Sequence, residues 1–129
     1  MKLNHECVRS LLIYLEENLE TKGNGLPEGL KLGHITDEEG LSEYSEEDIY
    51  YAASKLVESK FIIPANKEVA PKVMIIKEIS WFGHDYLDSI RDSKVWTEVK
   101  EKTKSFSSVA FEVVKSVAVE VTKQMIGFK

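Results

Sequence analysis

A single cysteine, Cys7, stands in a chain of 129 residues. One thiol excludes an internal disulfide and any zinc site built from several cysteines, and it fits a reducing compartment. Long apolar runs are missing as well. The longest near the start, Leu11-Leu12-Ile13-Tyr14-Leu15, is far too short to cross a bilayer. The opening Met-Lys-Leu-Asn-His-Glu has no apolar stretch behind a basic start, so no secretion signal and a cytoplasmic location are expected. There is no Gly-x-Gly-x-x-Gly, no phosphate loop and no Gly-x-Ser-x-Gly turn. Internal repeats and low-complexity stretches are absent too.

The remaining composition is that of a globular protein. Hydrophobic residues make up 43% and charged residues 30% of the chain, enough for a real core at this length. The net charge of −5 is unevenly spread: residues 1–93 carry −8, whereas 94–129 carry +3. An acidic body with a basic tail suggests two parts. Such a body repels nucleic-acid phosphates at long range.

Helical spacing appears first at Asn4, a capping residue, and is expected to run to about Glu20. Cys7, Val8, Leu11, Leu12, Leu15 and Leu19 share one face. Residues 21–29 are rich in turn formers. A short strand is expected over Leu30–Thr36, with Leu30, Leu32 and His34 on one side. Ser45 precedes Glu46, Glu47 and Asp48, acids suited to the positive end of a helix dipole. Ile49, Ala52, Ala53, Leu56 and Val57 then follow at helical spacing. Phe61–Ile63 and Val73–Ile76 read as two strands of an edge hairpin, with Pro64 and Pro71 near the ends of the loop.

A new helix opens at Ser80 with a Ser-x-x-Gly step and runs to about Arg91. Its Gly83, Leu87 and Ile90 share a face, and a glycine in the first turn suggests that another backbone comes close. Asp92 or Ser93 caps a fourth helix with Val95, Trp96 and Val99 inward. After a break at residues 104–108, a last helix spans about Val109–Met125 and ends at Gly127. Its many valines lower helix propensity, so it depends on packing.

Three segments carry a family resemblance. They are Met1–Arg9 with the following Leu-Leu-Ile-Tyr-Leu-Glu-Glu-Asn, Tyr44–Tyr51 with Leu56–Ile62, and Ile79–Arg91. Together they resemble a prophage-type family known as domain of unknown function 2513, and more loosely the YjcQ-like phage proteins. The first resemblance covers nearly the whole chain. It implies a protein of bacterial prophages and mobile elements without an established activity, so no catalytic residues carry over. The second implies a winged-helix fold, in which the Pro64–Lys72 loop is the wing. Lys60 stands where winged helices usually have Gly, and a left-handed conformation there costs on the order of 1 kcal/mol. One convincing helix lies between the first strand and the hairpin, whereas a full helix-turn-helix needs two; Asp37–Tyr44 has room for a short turn.

Few side chains offer chemistry. His84 and Asp88 lie four apart beside Asp85, but a metal wants three or four ligands, and a solvated His–Asp pair is the simpler reading. His5, Glu6 and Cys7 are adjacent and point to different helix faces, so Cys7 is read as a core thiol. No catalytic residue, metal or cofactor is expected. Tyr50, Tyr51, Ser54 and Lys55 on the second helix, with Lys67 and Lys72 on the wing, are candidate contacts to DNA or a partner. Glu46, Glu47 and Asp48 beside them disfavour nucleic acid. Trp81 and Trp96, with the two tyrosines, are either interface anchors or ordinary partly buried aromatics. Val113, Val114, Val117 and Val121 are candidates for self-association or for docking on the same chain. Glu112 and Glu120 interrupt the polar face that a membrane-surface helix would need.

These readings combine into an α+β protein: a winged-helix-like core over residues 1–91 (helix, short strand, helix, β-hairpin wing, helix) with a C-terminal helical extension over 92–129. The expected role is a non-enzymatic interaction module of a prophage or mobile element, acting through protein contacts and self-association. The alternative is a DNA-binding regulator using the Ser45–Lys60 helix and the wing.

Overall fold

Most helices begin where the sequence supplies a cap. In the computed structural model, which describes residues 1–21, 25, 27–67 and 69–127, the Asn4 side chain accepts from the Cys7 amide at 3.0 Å and opens α1 (His5–Asn18). Ser45 accepts from the Asp48 amide at 3.1 Å and opens α2 (Glu46–Glu58). Ser80 accepts from the Gly83 amide at 3.1 Å at the start of α3 (Trp81–Ile90). Asp92 accepts from the Lys94 and Val95 amides and opens α4 (Ser93–Thr103). Each such cap satisfies amides that the first helical turn leaves without partners. The fifth helix, α5 (Phe111–Met125), follows Ala110 without a side-chain cap.

The chain divides into two compact units, Leu3–His84 and Asp85–Lys129. The first holds the sheet. A two-residue ribbon pairs β1 (Glu20–Thr21) with β2 (Pro27–Glu28); residues 22–24 and 26 of the expected turn lie outside the described residues. β3 (Leu30–Lys31), β4 (Ile62–Pro64) and β5 (Ile75–Ile79) form an antiparallel sheet in the order β3-β5-β4. The hairpin expected from the two apolar runs is therefore present, with Ile62 opposite Ile79 and Ile63 opposite Glu78. Pro64 ends an edge strand, where its missing N–H costs nothing to the ladder.

Several boundaries differ from those expected: α1 ends at Asn18 rather than near Glu20, which pairs in β1, and β5 runs on to Ile79 rather than ending at Ile76. The strand expected over Leu30–Thr36 stops at Lys31 and gives way to a 3₁₀ turn, Leu32–His34. A β-carbon at Gly33 would lie 2.5 Å from the Lys72 carbonyl oxygen, so the two backbones pack too closely for a side chain between them. The strand expected from Val73 starts two residues later, because Pro71 begins a 3₁₀ turn, Pro71–Val73. The second strand is also central in the sheet rather than part of an isolated edge hairpin.

Between β3 and α2 the chain coils through hydrogen-bonded turns. Glu38 donates to Ile35, Leu41 to Glu38 and Tyr44 to Leu41. Leu41 is fully buried, and Ile35 nearly so. No regular helix forms there. The unit's core is the apolar stripe of α1 (Cys7, Val8, Leu11, Leu12, Leu15) without the expected Leu19, which is half-buried at the helix end, together with that of α2 (Ile49, Ala52, Ala53, Leu56) and Ile62, Ile76 and Ile79 of the sheet. Val57, read as inward, is half-buried.

The second unit packs α4 and α5 with the latter half of α3. Tyr86, Leu87, Ile90, Val95, Trp96, Val99, Val114, Ala118 and Val121 are its buried residues. The Tyr86 and Phe111 rings meet edge to face, centroids 5.2 Å apart. Lys115 forms an ion pair with Asp85. This packing is what sustains a helix so rich in valine. Gly127 then takes a φ of +82° and stops it. The whole is an α+β fold of five α-helices and a small antiparallel sheet among the described residues.

Candidate functional site

The most unusual backbone in the chain is at Lys60. The helix α2 ends in a double-bonded cap: the Lys60 amide donates to Val57 and the Phe61 amide to Leu56, at 3.0 and 2.8 Å. This Schellman arrangement requires a left-handed residue at the position of Lys60, usually glycine. Lys60 adopts it with a φ of +65°, the only positive φ at a non-glycine position among the described residues.

Ser80 fastens the following corner. Its hydroxyl lies 2.5 Å from the Lys60 carbonyl oxygen, to which it donates, and it also accepts from the Gly83 amide. Its own amide donates to the Phe61 carbonyl at 2.9 Å. The end of α2, the start of β4 and the first turn of α3 are thus tied into one knot. Gly83 is buried in it, directly against the Phe61 carbonyl. The close backbone approach expected at this glycine is present.

Beside the knot runs a groove of about 540 Å³. Val57, Ile62, Ile63, Pro64 and Phe82 give it apolar walls, and Ser80, Lys60 and Lys67 supply the polar atoms. No carboxylate of a described residue lines it. Phe82, one of its walls, is 59% exposed, and the adjoining Trp81, 73% exposed, stands edge to face with it, ring centroids 5.5 Å apart.

The residues picked out as DNA or partner contacts fall in two places. Tyr50, Tyr51 and Ser54 line a shallow depression of about 300 Å³ with Met1, Glu47 and Pro71. Next to it Lys55 pairs with Glu58 at 2.8 Å and lies 5.2 Å over the Tyr51 ring. The hydrogen bond to Glu58 holds the Lys55 pKa above its ordinary value. The Tyr50 hydroxyl points at Glu46, 3.4 Å away. Lys67 belongs instead to the groove, and Lys72 is exposed in the 3₁₀ turn.

Other candidates are engaged elsewhere. Cys7 is fully buried, and burial, followed by the nearby Asp48 carboxylate, pushes its pKa up to about 12. It stays a thiol at neutral pH, as expected of a core residue. Asp88 pairs with Arg91 at 2.8 Å, and Asp85 pairs with Lys115. Among the described residues, no group of three or more metal-ligating side chains occurs. Trp96 is buried, whereas Trp81 is the exposed tryptophan. On α5, Val114 and Val121 are buried, Val117 is half-buried and Val113 is 49% exposed. No helix among the described residues is long and apolar enough to cross a membrane.

The sequence reading did not single out Ile63 or Phe82 and did not see the groove. One local signal was available: Trp81 and Phe82 sit off the Gly83–Leu87–Ile90 stripe and therefore face away from the core.

Comparison with known proteins gives a family without an activity. The family described as hypothetical protein (DUF2513) matches residues 2–110, a span that ends just before α5. An uncharacterized protein of Haemophilus influenzae is 30% identical over 130 residues, covering 98% of this chain and all of the relative. No solved structure matches the chain.

Proposed function

The chain belongs to the DUF2513 family of hypothetical proteins, and from that premise we propose that it is a non-enzymatic, winged-helix-like module that works through protein contacts. The observation that carries this reading is the groove at the Ser80 knot, walled in part by the exposed Phe82, against which the exposed Trp81 ring stands. Single exposed apolar residues are ordinary, but adjoining aromatics beside an apolar trough mark interaction surfaces. The protonated, buried Cys7 and the paired Asp85 and Asp88 support a role without catalysis. The prophage or mobile-element origin implied by the resemblance belongs to the same proposal. A second copy is one partner the reading includes, through the outward Val113, Val119 and Met125 of α5.

The test is site-specific photocrosslinking in the host cell. A photoreactive phenylalanine analogue at position 82 is expected to give discrete protein adducts, and one at the exposed Glu101 none. Adducts from neither position would remove the reading. Light scattering checks the self-association: a strictly monomeric mass removes that part alone.

One observation favours a second reading, DNA binding through α2 and the wing. The hydrogen-bonded turns at residues 35–44, anchored by the buried Ile35 and Leu41, precede α2 where the first helix of a helix-turn-helix would stand, and Tyr50, Tyr51 and Ser54 line one depression. Glu46, Glu47 and Glu58 on the same helix, and a Lys55 already paired, weigh against it. A gel shift at low salt with mixed duplex DNA decides: no retarded band removes this reading.

A further inference from the structure

We propose that the groove at the Ser80 knot binds an acidic segment of a partner protein that also carries large apolar side chains. The inference rests on the protein-contact reading and adds the chemistry of the partner.

Charge is the first argument. The body of this chain is strongly acidic, yet the charged side chains on the groove are Lys60 and Lys67. Lys55, Lys104 and Lys115 each meet a carboxylate. Among the described residues, no carboxylate forms an ion pair with Lys60 or Lys67. Two cations on the lining of an apolar trough complement a ligand that carries both apolar and anionic side chains.

Lys60 is also strained, with a φ of +65°. Glycine satisfies the Schellman position without steric cost, and lysine does not. A non-glycine residue kept at a strained backbone position on the lining of a groove points to use of its side chain. The fold fixes both its carbonyl, through Ser80, and its amide, through Val57.

β4 is an edge strand, but Pro64 has no N–H to offer a neighbour. Strand addition is interrupted there, so the groove grips side chains rather than extending the sheet. Its volume falls within the span of about 300–1,000 Å³ typical of ligand clefts.

A displayed library of random peptides, selected on the immobilised full chain, tests the proposal. Enriched peptides are expected to combine Asp or Glu with Leu, Phe or Trp. The enriched peptide, synthesised with a fluorophore, is then titrated by anisotropy. Lys67→Gln and Phe82→Ser are each expected to weaken it about tenfold, the effect of losing one good interfacial contact. Lys60→Gly is expected to weaken it similarly while leaving the thermal midpoint unchanged or raised, which separates a binding role from a folding one. Lys94→Gln serves as the control and is expected to bind as the native chain does. Added salt weakens binding if the lysines act as described. No enrichment, neutral or basic enriched peptides, or undiminished binding by Lys67→Gln and Phe82→Ser would overturn the proposal. So would binding to phosphatidylglycerol vesicles through the same residues in place of peptide. Photocrosslinks at position 82 together with non-acidic selected peptides would leave the protein-contact reading standing and remove the acidic partner.

Discussion

Gly83 lies so close beneath Phe61 that a β-carbon at residue 83 would collide with the Phe61 carbonyl oxygen and come within 2.7 Å of the Ile79 side chain. In an ordinary helix interior, alanine is favoured over glycine by about 1 kcal/mol. Here the obstacle is backbone, which cannot swing aside as a flexible side chain would. The overpacking cost of about 1–3 kcal/mol or more is set against that preference. Gly83→Ala is therefore expected to destabilise the protein by about 2 kcal/mol, read as a lower urea midpoint with an unchanged slope. A variant as stable as the native chain would mean that β4 and α3 are not locked together through this contact.

Lys60 offers the opposite sign. Its left-handed conformation costs roughly 1–2 kcal/mol, part of which glycine returns as unfolded-chain entropy. Lys60→Gly is expected to stabilise by about 1 kcal/mol. Lys60→Ala keeps the β-carbon and so keeps the strain, and its midpoint is expected to stay within about 0.5 kcal/mol of the native value. Chemical denaturation of the three proteins side by side measures the difference. Equal gains from glycine and alanine would show that the lysine side chain, not the backbone conformation, is the source.

What the sequence revealed and what it concealed follow from the range of the interactions. Asn4, Ser45, Ser80 and Asp92 cap the helices that follow them through contacts two or three residues away, and those helices were legible. The stripe Ile49–Ala52–Ala53–Leu56 was legible for the same reason. The early end of β3 was not, because Gly33 meets the carbonyl of Lys72, far along the chain. The paired ribbon of β1 and β2 is two residues long and leaves no periodic trace. Lys60 could be read as a left-handed lysine in place of glycine. The groove could not be read, since Val57, Ile63 and Phe82 sit on three elements drawn together by the α2 cap, the Ser80 hydrogen bonds and the Gly83–Phe61 approach.

The buried thiol makes a pH prediction. Burial raises the Cys7 pKa in the folded chain to about 12, whereas an unfolded cysteine titrates near 8.5. The folded state therefore holds a proton that the unfolded state releases. The contribution is fully present below about pH 8.5 and is lost as the pH rises toward 12, by up to about 1.4 kcal/mol per pH unit. Burial raises the Tyr86 pKa as well, so its contribution declines in the same direction above the ordinary tyrosine range. Urea unfolding is expected to give a flat stability from pH 7 to 8 and a steep fall above it. Cys7→Ala is expected to begin lower, because it leaves space in a filled core, and to fall less steeply. A native thiol that reacts with a disulfide reagent at the rate of a free cysteine would contradict the burial behind this prediction.

Adjacent valines on α5 should respond oppositely to the same substitution. Val114 is 2% exposed and belongs to the core of its unit, whereas Val113 is 49% exposed. Val114→Ala removes two buried methyl groups, worth about 0.8 kcal/mol each before any cavity term. Replacing a β-branched residue returns about 0.5 kcal/mol of helix propensity. The net expectation is a loss of about 1–2 kcal/mol. Val113→Ala gains the same propensity and gives up little packing, so it should be neutral or stabilising by about 0.5 kcal/mol. Val113→Glu separates folding from association: the monomer is expected to unfold at nearly the native urea concentration, while any dimer seen by light scattering disappears. A loss at Val113 as large as that at Val114, measured where the protein is monomeric, would mean that α5 turns a different face inward. The valines available to a second copy would then have to be reassigned.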